Sequence, residues 1–480
     1  MTVKPQRVLF VTGQLAESAL RRVLAEMAPP FGCEVAVLGI TVAALMTAEW
    51  IAHHLSAVPD GTDLVLLPGL CEGDPRIVGE RLGVRVEKGP KDLREIPQHF
   101  GRPPAQDYGA WDIEIVAEIN NAPRLTREAL RREAHYLQAS GADIIDVGCT
   151  PGLAFPDLGD VIRDLVAAGM RVSVDTFDPR EIGVAVAAGV DLVLSVNGSN
   201  IEAARGLVGT GARAVVVPDF GGPMESLDKS LEKLTGWGVP YLIDPILDPI
   251  GHGLMNSLER FANARRRFPN AEMLMGIGNV TELTSADSTG VNAMLVAICQ
   301  ELGVRTVLTT EVIPWAHGAV REVDVARRLM HYAVNRHTIP KGVDDRLVTI
   351  KDPSLLAYSD EELRALQAGI GDPNFRIFAD RSGITVLNNE RFVRCTEVAK
   401  LSDIFSRLGV DDASHAFYLG TELAKAGLAV TLGKVYRQDG PLSWGYLTPA
   451  DDERPRRVQL TGRSKSKPQR KRQSAATRKH

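Results

Sequence analysis

Between residues 112 and 335 the chain alternates between two hydrophobic periods. Short apolar runs read as buried strands: IEIVAEI (113–119), DIIDVG (143–148), RVSVD (171–175), DLVLSV (191–196), RAVVVPD (213–219), PYLID (240–244), EMLMGIG (272–278) and RTVLTTE (305–311). Between and after them, helical spacing recurs at 124–140, 157–169, 178–189, 200–208, 224–236, 257–268, 285–302 and 318–335. Continuous apolar strands separated by amphipathic helices are the pattern of a parallel sheet covered on its outer face. Eight strand–helix units predict a closed (β/α)8 TIM barrel over 110–338, with an open doubly wound sheet as the alternative.

The pattern differs on either side. RVLFVT, the helical stretch LAESALRRVLAEM, CEVAVLGI, a helix around 43–55 and DLVLLPG predict a small Rossmann-like α/β domain over 1–105. Its loops contain neither GxGxxG nor a P-loop. EIPQHFGRPPAQDYGAWD, rich in Pro and Gly, reads as a linker. RIFADRSGITVLNNERFVRCTE reads as two or three antiparallel strands, followed by helices around 400–408 and 415–427, VTLGKVYRQDG and WGYL. These predict an α+β domain over 345–460.

Composition adds exclusions. A chain of 480 residues with net charge −5 and 44% apolar residues is that of an ordinary globular protein. Nothing in it predicts a membrane span or a signal peptide, and the five cysteines are scattered, with no CxxC. Reduced thiols and a cytoplasmic location are the expectation. Residues 461–480 are basic and read as a disordered tail. A nucleic-acid arm is one use for such a tail, but the mildly acidic body favours a solubilising one, with no nucleic acid and no membrane as partner.

The strand ends carry the chemistry. In such a barrel they surround the active-site mouth, and here they deliver Glu118/Asn120, Asp146, Asp175, Asn197, Asp219, Asp244, Asn279 and Glu311. Each taken alone is an ordinary helix cap or loop residue. Together they make an acidic, amide-rich ring without clustered Lys or Arg. A carboxylate accepts two parallel N–H bonds from a planar donor pair, which the edge of a 2-amino-4-oxo pyrimidine provides. Metal binding is the other use of crowded carboxylates, but no histidine joins them at ligand spacing, and His252 is a lone loop residue. Cys149 lacks a visible base and reads as a packed thiol.

GADIIDVG, RVSVDTFDP, YLIDP and the Asn-bearing MGIGN resemble, in this order, elements of the pterin-binding barrel family. That family comprises dihydropteroate synthases and methyltetrahydrofolate-dependent corrinoid methyltransferases. The resemblance covers about residues 110–335 and implies a reduced pterin as ligand. It implies that Asp175 and Asp244 bind the pterin ring, that Asn197 hydrogen-bonds it, and that Asp146 orients loop and ring; Asp219 completes the pterin-binding set. Asn120, in Asn120-Asn121-Ala122-Pro123, resembles the residue that helps hold substrate diphosphate and Mg2+. Asn279 resembles the methyltransferase asparagine near the methyl-bearing nitrogen.

Two departures stand out. The Ser-Arg-Lys element of the synthases is replaced by Gly278-Asn279-Val280, and their Arg-x-His clamp by Leu308-Thr309-Thr310-Glu311. Arg124, His317 and Arg321 are the cations available in place of that clamp. The whole chain resembles large dihydropteroate synthase-related proteins associated with tetrahydromethanopterin. This implies a transferase that condenses a dihydropterin-methyl diphosphate with an arylamine. Methyl or one-carbon transfer and non-catalytic pterin binding are the alternatives, and analogy to the family implies a homodimer.

Overall fold

The computed structural model describes residues 7–40, 43–90, 93–100, 108–352, 358–396 and 401–448. The predicted basic tail lies outside them. At the amino end, β1 (Arg7–Gly13), β2 (Gly32–Leu38), β3 (Leu64–Leu67) and β4 (Arg85–Lys88) form a parallel sheet in the order β2-β1-β3-β4. The first three match the predicted strands. The fourth, RVEK, is short, ends in two charged residues and is at most half-buried on its sheet edge, so its apolar signal is weak.

The central sheet is a closed parallel barrel, as predicted. Its strands are β5 (Glu114–Ile119), β6 (Ile144–Gly148), β7 (Arg171–Asp175), β8 (Leu192–Val196), β9 (Arg213–Val216), β10 (Tyr241–Ile243), β11 (Glu272–Gly276) and β12 (Thr306–Thr310). β12 pairs back onto β5 over five residues, which closes the ring. Side chains alternate across the pleat. Ile115, Ala117, Val147, Val172, Val174 and Ile243 point outward and pack beneath the helices, whereas Val116, Ile144, Leu192, Leu194, Val215, Leu242 and Leu274 form a separate cluster filling the barrel.

The crossover predicted as a helix over 200–208 is instead a 3-10 helix, Ile201–Leu207. Asn200 fixes its start, donating from Nδ2 to the Ser195 carbonyl at 3.1 Å and accepting from the Asn197 N–H. A 3-10 helix rises about 2.0 Å per residue against about 1.5 Å for an α-helix, so seven residues bridge the span.

At the carboxyl end, β13 (Arg376–Asp380), β14 (Gly383–Leu387) and β15 (Phe392–Cys395) pair antiparallel, with β16 (Tyr436–Arg437) on the other side of β13. The helix Ala413–Leu432 packs Leu419, Leu423 and Ala426 into their core. This region reaches back to the barrel through Tyr446, whose hydroxyl donates to Glu322 at 3.0 Å. Glu322 is buried and also accepts from Ser288, Thr289 and Asn292. A buried carboxylate with four donors has its charge dispersed by them.

Candidate functional site: the carboxyl-lined barrel mouth

Inside the barrel the pleat sorts polar groups to the two ends. The first residues of alternate strands, Glu114, Arg171, Arg213 and Glu272, make one ion network. Arg171 donates to Glu114 at 2.5 Å, and Arg213 bridges Glu114 and Glu272 at 3.1 Å each. The apolar cluster that fills the barrel lies above this plug, and polar groups return at the strands' carboxyl ends. There Glu118 stands beside Asp146, and Asp146 beside Ser173, as Cα partners on adjacent strands.

Asp146 is fully buried. Its Oδ1 accepts from Ser173 Oγ at 2.6 Å, while its Oδ2 is buried without a partner. Burial, the Asp175 carboxylate and Glu118 hold its pKa well above the usual range. Asp175 accepts from Ser195 Oγ at 2.5 Å. Ser195 sits at a register shift between β8 and β9 with φ of 61°, so a bulge turns its hydroxyl onto Asp175. Burial raises the Asp175 pKa as well.

Asp244 is buried and accepts from the Ile246 N–H at 2.8 Å, yet burial pushes its pKa up to about 7. Glu118 is likewise pushed up to about 7 by burial, Asp175 and Glu282, against a hydrogen bond from Asn120. Among the described residues no Lys or Arg pairs with any of these four carboxyl groups. Arg260 acts on Asp244 only through space, its guanidinium being bonded to Asp248 and to the Pro245 and Ile246 carbonyls. Four such acids cannot all be ionised in so dry a place without partners, so protons are retained among them near neutrality.

The carboxamides form the surround. Asn120 accepts from Thr310 Oγ1. Asn197 is buried, and its Oδ1 accepts from the Ser199 N–H at 2.9 Å and Ser199 Oγ at 2.6 Å, which braces the loop after β8. Asp219 is exposed at the rim and accepts from the Gly198 N–H at 2.8 Å. A Cβ on Gly198 would lie 2.8 Å from that carboxylate, so this close approach requires glycine. Asn279 is exposed in a short helix, Gly278–Glu282, rather than in a loop, and donates to the Leu247 carbonyl at 3.0 Å, tying the seventh loop to the sixth.

One rim assignment is corrected. Glu311 does not belong to the acidic ring, because its carboxylate caps the helix Ala319–Asn335, accepting from the Gly318 and Val320 N–H groups at 2.8 and 3.0 Å and from Tyr136 at 3.0 Å. The three proposed cations separate. Arg124 is exposed in the turn after Asn120 and Asn121. His317 is exposed, stacks on Tyr136 and stands 3.5 Å from Glu311. Arg321 lines a cavity on the barrel flank. Cys149 lies near Glu181, and burial followed by that carboxylate pushes its thiol up, away from thiolate chemistry.

Ser173, Ser195 and Glu282 join the site without having been read from the sequence. Ser173 is findable, being two residues before Asp175 on the same face. Ser195 is not, because the bulge breaks the alternation.

Residues 6–91 match a family of unknown function, DUF6513. The chain is similar to the uncharacterized protein MJ0107 of Methanocaldococcus jannaschii, 27% identical over an alignment of length 524 that spans 90% of this chain and 98% of that one. Among solved structures, it is similar to a Yersinia pestis dihydropteroate synthase in complex with a sulfonamide drug, at 16% identity and TM-score 0.38, covering 47% of this chain and 95% of that one. A Thermus thermophilus dihydropteroate synthase in complex with 6HMPPP is 23% identical with TM-score 0.35, covering 45% of this chain and 92% of that one. The barrel itself is established by its strand pairing.

Proposed function

We propose that the barrel mouth binds a reduced pterin and that the protein is a pterin-dependent transferase. The observation that carries this reading is the convergence of Glu118, Asp146, Asp175 and Asp244 with no cation among them in the described residues. Such a ring calls for a partner that brings N–H donors, and the N3–H and 2-amino edge of a pterin brings two in one plane. Asp175 and Asp244 take that edge, Asp146 orients it from below, and Asn197, Asp219 and Asn279 surround it.

For the reaction we propose condensation of a dihydropterin-methyl diphosphate with an arylamine, as in building a tetrahydromethanopterin skeleton. The C–O bond to diphosphate breaks as the amine nitrogen attacks the same carbon, and the amine's proton is taken up by a mouth carboxylate. Asn120 and Arg124 would face the diphosphate. Mg2+ would enter with that substrate, because among the described residues no three His, Cys, Asp or Glu are grouped to hold a metal. One carboxamide oxygen is not a metal cage.

A second reading, one-carbon transfer from a tetrahydropterin, is favoured by the acids whose pKa lies near 7, since such a group delivers a proton to a departing pterin nitrogen at neutral pH. The test mixes the protein with the pterin diphosphate, Mg2+ and p-aminobenzoate or its ribitol derivative. Diphosphate release supports the synthase. Its absence with either amine, together with tight methyl-tetrahydropterin binding lost in Asn279→Ala, supports one-carbon transfer. Pterin binding without turnover in either assay leaves a carrier.

A further inference from the structure

A cavity of about 420 Å³ opens on the barrel flank. It lies between the end of helix Arg127–Ala139 and the outer face of helix Ala319–Asn335, bordered by Arg346 and Tyr446. Four arginines line it: Arg321, Arg327, Arg328 and Arg346.

Three of these charges are already balanced. Arg327 is fully buried, pairs with Asp143 and Asp324, donates to the Ile113 and Gly141 carbonyls, and lies over the Trp111 ring. Arg328 shares Asp324 and donates to the Gly109 carbonyl. Arg346 is paired with Asp344, which also accepts from Tyr108. Asp143, Asp324 and Asp344 therefore answer Arg327, Arg328 and Arg346. Arg321 alone has neither ion pair nor hydrogen bond among the described residues.

Space is preserved at the floor by Ala139, Gly141 and Ala142. Gly141 has φ of 114°, and a Cβ there would lie 2.8 Å from Asp324. At the helix end that faces the cavity, the Tyr136, Leu137 and Gln138 carbonyls are taken by the Ser140, Ala142 and Gly141 N–H groups, and the Gly141 carbonyl by Arg327 Nη2 at 3.2 Å, which tempers their repulsion of an anion.

We infer that this cavity is an anion site, separate from the mouth, which takes a phosphate-bearing small molecule on Arg321, with Arg328 and Arg346 at its sides. Arg321 brings a complete guanidinium fork, and both terminal nitrogens of Arg328 carry a second hydrogen beyond those already used. Forks converging from different directions match the tetrahedral oxygens of phosphate better than a flat carboxylate. The ligand would sit at the joint between the barrel and the carboxy-terminal region. Tyr446 lines the cavity while its hydroxyl bonds Glu322, so occupancy tightens that joint.

The experiment is calorimetric titration of the full-length protein with inorganic phosphate and pyrophosphate, with citrate as the carboxylate arm. Saturable phosphate or pyrophosphate binding is expected, weakened about tenfold or more in Arg321→Ala. It should be unchanged in Arg132→Ala, a surface arginine paired only with Glu128. Pterin binding, measured separately, should be unaltered in Arg321→Ala, which keeps this inference distinct from the proposed function. The inference is overturned if neither phosphate nor pyrophosphate saturates, if Arg321→Ala binds them as the parent does, or if citrate alone binds.

Discussion

Glu114 and Glu118 lie four residues apart on β5, on the same inner face of the barrel, and experience opposite surroundings. Burial acts on both. At Glu114, Arg171 and Arg213 outweigh it and hold the carboxyl below its usual range. At Glu118, the neighbouring charges are those of Asp175 and Glu282, and the carboxyl rises to about 7 from an ordinary value of 4.5. The lower end is a neutralised plug whose charges are used within the fold. The upper end holds acids with no Lys or Arg partner among the described residues, which take hydrogen bonds from Asn120, Ser173, Ser195 and the Ile246 N–H. Stability is spread over the first, and an unmet demand for hydrogen-bond donors is concentrated in the second.

Breaking the plug should have the largest effect. Arg213→Met leaves the half-buried Glu114 and the more exposed Glu272 without their shared partner, and should cost about 2–3 kcal/mol in urea unfolding at pH 7. A variant as stable as the parent would erase the contrast between the two ends. Next, Asp175→Asn and Asp244→Asn should each weaken pterin binding about 10- to 100-fold, because an amide presents only one acceptor oxygen to the donor pair.

A smaller effect has the opposite sign. Glu118 and Asp244 have folded-state pKa values above their unfolded ones, so their contribution is complete below the ordinary carboxylate range and is lost as pH rises through about 7. The ligand-free protein should therefore melt at a lower temperature at pH 8 than at pH 6. Glu118→Gln should flatten that slope and raise the melting temperature at pH 8 by a few degrees. A steeper slope in the variant would show that the mouth acids are already compensated. Asn279→Ala should change stability least, since it removes one half-buried hydrogen bond from an exposed side chain to Leu247, while weakening methyl-tetrahydropterin binding several-fold.

The eight barrel strands were legible because each is a short apolar run buried on both faces, and closure followed from their count. The order of the acids was legible too, since Asp175 ends its strand, Asp244 follows its own and Asp146 lies two residues before its strand end. Three things were not. A polar residue at a strand end reads the same whether it faces the mouth or caps a helix, and Glu311 does the second. The bulge at Ser195 shifts one hydroxyl onto Asp175 with no compositional mark. Arg321 sits in the first turn of helix Ala319–Asn335, and only the folded structure shows that it lines the flank cavity. The missing anion clamp was legible from Leu308-Thr309-Thr310-Glu311, and its consequence, a mouth whose four acids have no paired cation among the described residues, required the geometry.

Isothermal titration with 6-hydroxymethyl-7,8-dihydropterin at pH 7, in two buffers of different ionisation enthalpy, tests the central claim most directly. Accepting N–H donors favours the ionised carboxylates, so binding should be saturable, should release protons to the buffer, and should weaken by about 10- to 100-fold in Asp175→Asn and Asp244→Asn. Absence of binding, or binding that releases no protons and survives both substitutions, would contradict the claim that the carboxyl-lined mouth is the pterin site.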